Sequence, residues 1–154
     1  MRKQKYLIIH CTDTPEGRPV SSDDIEKWHL QGNGWRRVGY ADMVHLDGTL
    51  ENLIDWNQDA IIDPWEVSNG ARGYNGIARH IVYVGGAEKG TREPKDTRTC
   101  EQKETLAIYI KFNILRNKKL RVIGHNDVSK KACPSFNVAA FCREIGINES
   151  NIGL

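Results

Sequence analysis

The sequence has no apolar stretch approaching the roughly 20 residues that a membrane-spanning helix needs, and its mean hydropathy is negative, −0.56. No membrane segment is expected. An excess of either charge is missing too: 22 Lys and Arg stand against 20 Asp and Glu. The dense basic footprint of a nucleic-acid binder is therefore absent, and no DNA or RNA partner is expected. The start, Met1-Arg2-Lys3-Gln4-Lys5, has the charge of a secretory signal, but the apolar run behind it, Tyr6 to Ile9, ends at His10 and is too short for one. Synthesis in the cytoplasm without an export signal is the expectation. Cysteine is scarce: the four residues Cys11, Cys100, Cys133 and Cys142 match no two-pair zinc spacing. Without an export signal their default state is reduced or metal-bound. Cys11, Cys100 and Cys142 read as small buried side chains.

What is present suffices for one core. A chain of 154 residues with 39% apolar content needs no disulfide staples, so residues 1–154 are expected to form one domain and a monomer. Tyr6 to Cys11 is a short β-branched run closed by the turn cluster Thr12 to Gly17, which predicts a buried strand with His10 near its C-terminal end. Ser21 and Ser22 followed by Asp23, Asp24 and Glu26 cap a helix that carries Ile25, Trp28 and His29 and ends near Gly32. Asp47-Gly48 between two strand-like runs predicts a hairpin. Residues 55–77 have no sustained period and read as a long surface loop. Ala78 to Val84 is a further strand, with His80 a structural residue in it. Thr99 with Gln102 forms a capping box ahead of Leu106, Tyr109, Ile110 and Ile114 at helical spacing. Leu120 to Gly124 predicts a last strand, ending at His125, and Val138 to Glu144 a last helix. This order argues for an α/β fold: a mixed central sheet flanked by helices.

Two strand-end histidines and a cysteine eight residues beyond the second offer the nitrogen and thiolate donors that zinc prefers. Spacing alone leaves open the alternative of packed or solvated histidines. In the long loop, Asp55, Asn57, Asp59, Asp63 and Glu66 fall at the ligand positions of an EF-hand, a candidate Ca2+ site. Ala60 stands where the sharp turn wants glycine, and Pro64 stiffens the loop, so a solvated acidic loop is the competing reading.

Ile9-His10-Cys11-Thr12, Val38-Gly39-Tyr40, Leu46-Asp47-Gly48-Thr49, Gly73-Tyr74-Asn75, Val84-Gly85-Gly86, Gly124-His125 and Lys131-Ala132-Cys133-Pro134-Ser135-Phe136 occur in one order. Together they resemble the type-2 N-acetylmuramoyl-L-alanine amidase family, which includes phage amidase lysins and animal peptidoglycan-recognition proteins. The similarity runs from about residue 6 to about residue 145. It implies a Zn2+ enzyme that cleaves the amide between N-acetylmuramic acid and L-alanine in bacterial peptidoglycan. It further implies His10, His125 and Cys133 as zinc ligands, and Tyr40 and Lys131 as catalytic residues. Made without an export signal, such an enzyme would be a phage or prophage lysin acting on the wall after release, or a recycling enzyme acting on internalised wall fragments. Trp35 and Tyr74 are the candidate substrate contacts among several aromatics.

The chain also departs from the family pattern, with Ala41 after the tyrosine and Gly70 in the loop before Gly73 where the family usually has histidines. Two other readings follow: a peptidoglycan-binding recognition protein without turnover, and a hydrolase with Cys133 as nucleophile and His125 as its base.

Overall fold

In the computed structural model, which describes residues 1–154, the chain opens with β1 (Arg2–Lys3), β2 (Tyr6–Cys11) and β3 (Thr14–Pro15). Helix α1 (Ser22–Glu26) follows, capped by the Ser21 hydroxyl accepting from the Asp24 amide, and widens into a π-helical turn over Lys27–Gly32. Strands β4 (Asp42–Val44) and β5 (Leu50–Asn52) flank the Asp47-Gly48 turn, where Gly48 takes a φ of 85° that suits glycine. Next come β6 (Ile61–Ile62), β7 (Ala78–Tyr83) and β8 (Gly86–Ala87). Helix α2 (Cys100–Arg116) starts at the reciprocal Thr99–Gln102 box, strand β9 (Arg121–Gly124) follows it, and α3 (Val138–Glu144) starts where the Asn137 side chain accepts from the Ala140 amide.

The main sheet has the order β5-β4-β7-β2-β9, with β4, β7, β2 and β9 parallel and only the hairpin strand β5 antiparallel. Alternation along the strands divides the core into two layers. Leu7, Ile9, Ile81, Tyr83 and Val122 face α2 and α3, meeting Leu106, Ile110, Phe141 and Cys142. On the other face, Met43, Val82 and Val84 meet Val20 and Ile25, while Ile8, Ala78 and Ile123 meet Ala71. Each wholly buried Leu or Ile contributes about 1.5–3 kcal/mol of transfer free energy, so the sheet is a stiff floor for what sits on it.

The structure corrects three expectations. Residues 55–77 are not a free loop: β6 pairs antiparallel with β1, and Pro64–Glu66 forms a 3-10 turn. The candidate calcium loop folds upon itself instead of forming a cation cage. Both Glu66 carboxylate oxygens accept backbone amides, from Asn57 and Asp63 at 2.9 and 2.8 Å. Asn57 and Asp59 cap neighbouring amides at 3.1 and 2.7 Å, and Asn57 also donates to Asp63 at 3.0 Å. Buried Glu66 is a structural acceptor here, no flanking helices frame the loop, and Ca2+ binding by Asp55, Asn57, Asp59, Asp63 and Glu66 is not supported. Third, Cys100 is exposed at the start of α2, while Cys11 and Cys142 are buried; all four thiols are free.

Candidate metal centre

His10 stands near the C-terminal end of β2, on the face that carries Ile8 and is therefore turned away from α2. His125 begins the 3-10 turn just past β9, held by the Gly124 amide donating to Asp127 Oδ2 at 2.7 Å. Cys133 lies in the loop before α3, which Tyr83 fixes by donating its hydroxyl hydrogen to the Pro134 carbonyl at 2.7 Å. These are the only three His, Cys, Asp or Glu side chains that converge as a possible metal site, their donor atoms all within 4.8 Å of one another. Tetrahedral zinc, with bonds of about 2.0 Å to nitrogen and 2.3 Å to sulfur, sets donors about 3.5 Å apart. Cys133 Sγ already lies 3.8 Å from His10 Nδ1. Two imidazoles and a thiol are the donor chemistry of that ion, so the residues fit it.

The electrostatics favour the proton-free imidazoles a metal requires. Burial holds His10 well below its ordinary range, with His80, His125 and Lys131 adding to the shift. His125 is lowered as well, by burial first and by Lys131 second. Cys133 is raised, by its hydrogen bond with Cys11 first and by burial next. In the metal-free protein it is thus the reverse of an activated nucleophile, which argues against the cysteine-hydrolase reading. The Cys11 amide donates to Cys133 Sγ at 3.3 Å, a contact that supports negative charge on the sulfur once a cation neutralises it.

The three donors lie at the floor of a cleft of about 790 Å³. Tyr40 lines it, its ring 5.2 Å from that of His10, and burial pushes its phenol pKa upward so that it keeps its proton. Lys131 and Trp35 line both this cleft and an adjoining hollow of about 530 Å³. Tyr40, Trp35 and Lys131 thus lie in the same cleft lining as His10 and His125. Tyr74 is not in that lining: half-buried, it packs edge-on against Tyr6, with ring centroids 5.6 Å apart, beside a small core cluster.

Two residues were missed as parts of this site. His29 lines the cleft, accepts the Gly39 amide on Nδ1 at 2.9 Å, and lies between Trp35 and Tyr40. His80, wholly buried, meets His10 at 3.0 Å. The available signal was the histidine count: of five in the chain, four gather here, and only His45, paired with Glu51 at 2.7 Å, lies elsewhere.

Comparison with known proteins gives the family and the fold. The sequence profile described as N-acetylmuramoyl-L-alanine amidase matches residues 1–136. An endolysin of Enterobacteria phage K11 is 33% identical over 138 residues, covering 89% of this chain and 84% of that protein. Among solved structures, the N-acetylmuramoyl-L-alanine amidase LysC from Clostridium intestinale aligns with a TM-score of 0.74 at 20% identity, covering 96% of this chain and 88% of that one. Bumblebee PGRP-SA aligns with a TM-score of 0.68 at 19% identity, covering 99% and 85%. At such identities the structural matches speak for the fold.

Proposed function

This chain belongs to the N-acetylmuramoyl-L-alanine amidase family, and from that premise we propose that it is a zinc-dependent hydrolase that releases stem peptides from peptidoglycan. In this reading residues 1–154 act as one catalytic domain and as a monomer, in the manner of a phage lysin made in the cytoplasm and acting on the wall. The observation that carries the reading is the convergence of the His10, His125 and Cys133 donor atoms within 4.8 Å of one another in the cleft lining.

When bound, zinc supplies Lewis acidity: it polarises an amide carbonyl and lowers the pKa of a water. The chain's own residues do the rest. His10 and His125 would hold the ion as neutral imidazoles, and Cys133 as a thiolate, leaving the centre a net positive charge. Lys131, on the cleft wall, stabilises the negative charge that develops on the carbonyl oxygen. Tyr40, kept protonated by burial, donates a hydrogen bond to the same region of charge. Trp35, 39% exposed at the rim, offers a flat apolar wall to a sugar or peptide.

The test joins elemental analysis with mass spectrometry of digested sacculi. We expect about one zinc per chain and release of free stem peptides, with both lost or sharply reduced in Cys133→Ser. A parent protein purified without chelator that carries no zinc, or full activity in Cys133→Ser, overturns the ligand assignment. Tight muropeptide binding with no release favours the recognition-protein reading instead.

A further inference from the structure

We propose that His80 is a positioning residue for His10, holding it in the tautomer whose Nδ1 is free to take the metal, and that Gly70 is glycine because it must make room for the His80 ring. The inference rests on the zinc reading above and adds a residue to it.

The nitrogen of His10 that faces Cys133 Sγ is Nδ1. A metal there needs the Nδ1 lone pair, which places the imidazole proton on Nε2. His10 Nε2 lies 3.0 Å from His80 Nδ1, and both rings are buried. The Nε2–H of His10 therefore donates into the lone pair of His80 Nδ1, and His80 carries its own proton on Nε2. A ligand histidine that passes its second N–H to an acceptor is the usual way a metal site fixes ring orientation. The acceptor here is a neutral imidazole in place of a carboxylate, so it orients His10 without subtracting from the charge of the ion.

The fold gains nothing from this histidine that an apolar side chain would not give. His80 Nε2 is buried and has no hydrogen-bond partner, which costs the fold the desolvation of an unpaired polar group. Its neighbours on the same face of β7 are Ala78 and Val82, both packed in apolar clusters. A buried polar atom left unpaired asks for an explanation, and the contact with His10 supplies one.

The backbone fixes the contact. β2 and β7 are parallel with Ile8 opposite His80, so His80 is the diagonal neighbour of His10 on one face. The His80 carbonyl accepts the Ala41 amide at 2.8 Å. On the open side, a Cβ at Gly70 would overlap the His80 ring and crowd the Gly39 carbonyl. The loop cannot retreat freely, because the Ala71 amide donates to Asn75 Oδ1 at 2.8 Å and Ala71 packs with Ile8 and Ala78. Glycine at 70 and histidine at 80 are therefore one arrangement.

The experiment compares His80→Leu, which removes the acceptor, with His80→Asn, whose Oδ1 can stand where Nδ1 stood. Zinc affinity is read by competition with a chromophoric chelator, beside the thermal midpoint of the metal-free proteins. His80→Leu should bind zinc roughly 10- to 100-fold more weakly, with His80→Asn remaining within about threefold of the parent. Parent-like zinc affinity in His80→Leu, or equal losses in the two variants, overturns the proposal. Should His80→Leu fail to fold, nitrogen-15 NMR of the parent decides. Both rings must carry their protons on Nε2 in the metal-free protein, and a proton on His80 Nδ1 refutes the assignment. A parent that binds no zinc at all removes the reading beneath the proposal, whereas a zinc-binding parent matched by His80→Leu removes only the role of His80.

Discussion

Arg79 and His80 are neighbours on β7 whose side chains leave the sheet on opposite faces, each entering a buried polar cluster of a different kind. Arg79 Nε donates to Asp42 Oδ2 at 2.8 Å and to Tyr109 Oη at 3.1 Å, Tyr109 bonds the same carboxylate, and the Ile54 carbonyl takes Nη2 at 3.2 Å. The guanidinium also stacks over Trp56, 4.6 Å from the ring centroid. Charge is balanced within this cluster by the protein's own groups, although Arg79 Nη1 is left buried without a hydrogen-bond partner. On the other face the donor atoms of His10, His125 and Cys133 lie within 4.8 Å of one another, and no charged side chain is bonded to them. A closed cluster specifies the fold. An open one is the kind the zinc proposal needs, and that difference is the one the following experiments probe.

Breaking the closed cluster should have the largest effect. Asp42→Ala leaves the Arg79 guanidinium buried without its counter-charge, and removing one partner of a buried pair costs about 3–5 kcal/mol. Urea unfolding should report that loss while the folded fraction keeps its zinc. A variant as stable as the parent would show that Arg79 finds another partner, and the contrast between the two faces would weaken.

The open cluster should respond in rate and hardly in stability. Lys131 is exposed on the cleft wall and makes no side-chain hydrogen bond, so nothing in the fold leans on it. In the proposed mechanism it is an oxyanion donor that acts only as charge develops, so Lys131→Ala should slow amide cleavage roughly a hundredfold. Zinc content should be unchanged and the unfolding free energy within about 0.5 kcal/mol of the parent. Cleavage at the parental rate would exclude Lys131 from the reaction, and a large drop in stability would move it to the structural class.

Much of this contrast was legible in the sequence, for physical reasons that also mark where reading stops. Strand ends, the Ser21 and Thr99 caps and the Asp47-Gly48 turn depend on residues a few positions apart, and all appear where spacing puts them. His10, His125 and Cys133 stood out because the motifs around them resemble one family in one order. The two-residue ladder of β1 with β6 joins segments some sixty positions apart and leaves no local period. Tyr74 packs against Tyr6 and the His80 ring against His10 only through the register of distant segments. Alternation gave His80 its face, but which residue of β2 lay beside it required the pairing.

The subtlest test separates the clusters by pH. In the metal-free protein burial holds His10 well below its ordinary value and His80 at about 3. Above pH 6.5 these imidazoles are neutral folded or unfolded and contribute no slope. As pH falls below 6.5 the unfolded chain takes up protons that the buried rings refuse, so stability drops, by about 1.4 kcal/mol per pH unit for each such histidine. Tyr109 behaves in the opposite sense. Burial first, then the charge of Asp42, raises its pKa well above the ordinary value of 10. Its contribution is complete below pH 10 and is lost at higher pH, where the unfolded phenol ionises and the buried one does not, again by about 1.4 kcal/mol per unit. Urea unfolding of metal-free protein across pH 4.5–11.5 should therefore show, within about 0.5 kcal/mol per unit, a double dissociation. His80→Asn should flatten the acid limb by one histidine's slope and leave the alkaline limb alone. Tyr109→Phe should do the reverse. Equal effects of both variants on both limbs would mean that the two clusters titrate as one, and that the sheet between them does not insulate the open site from the closed one.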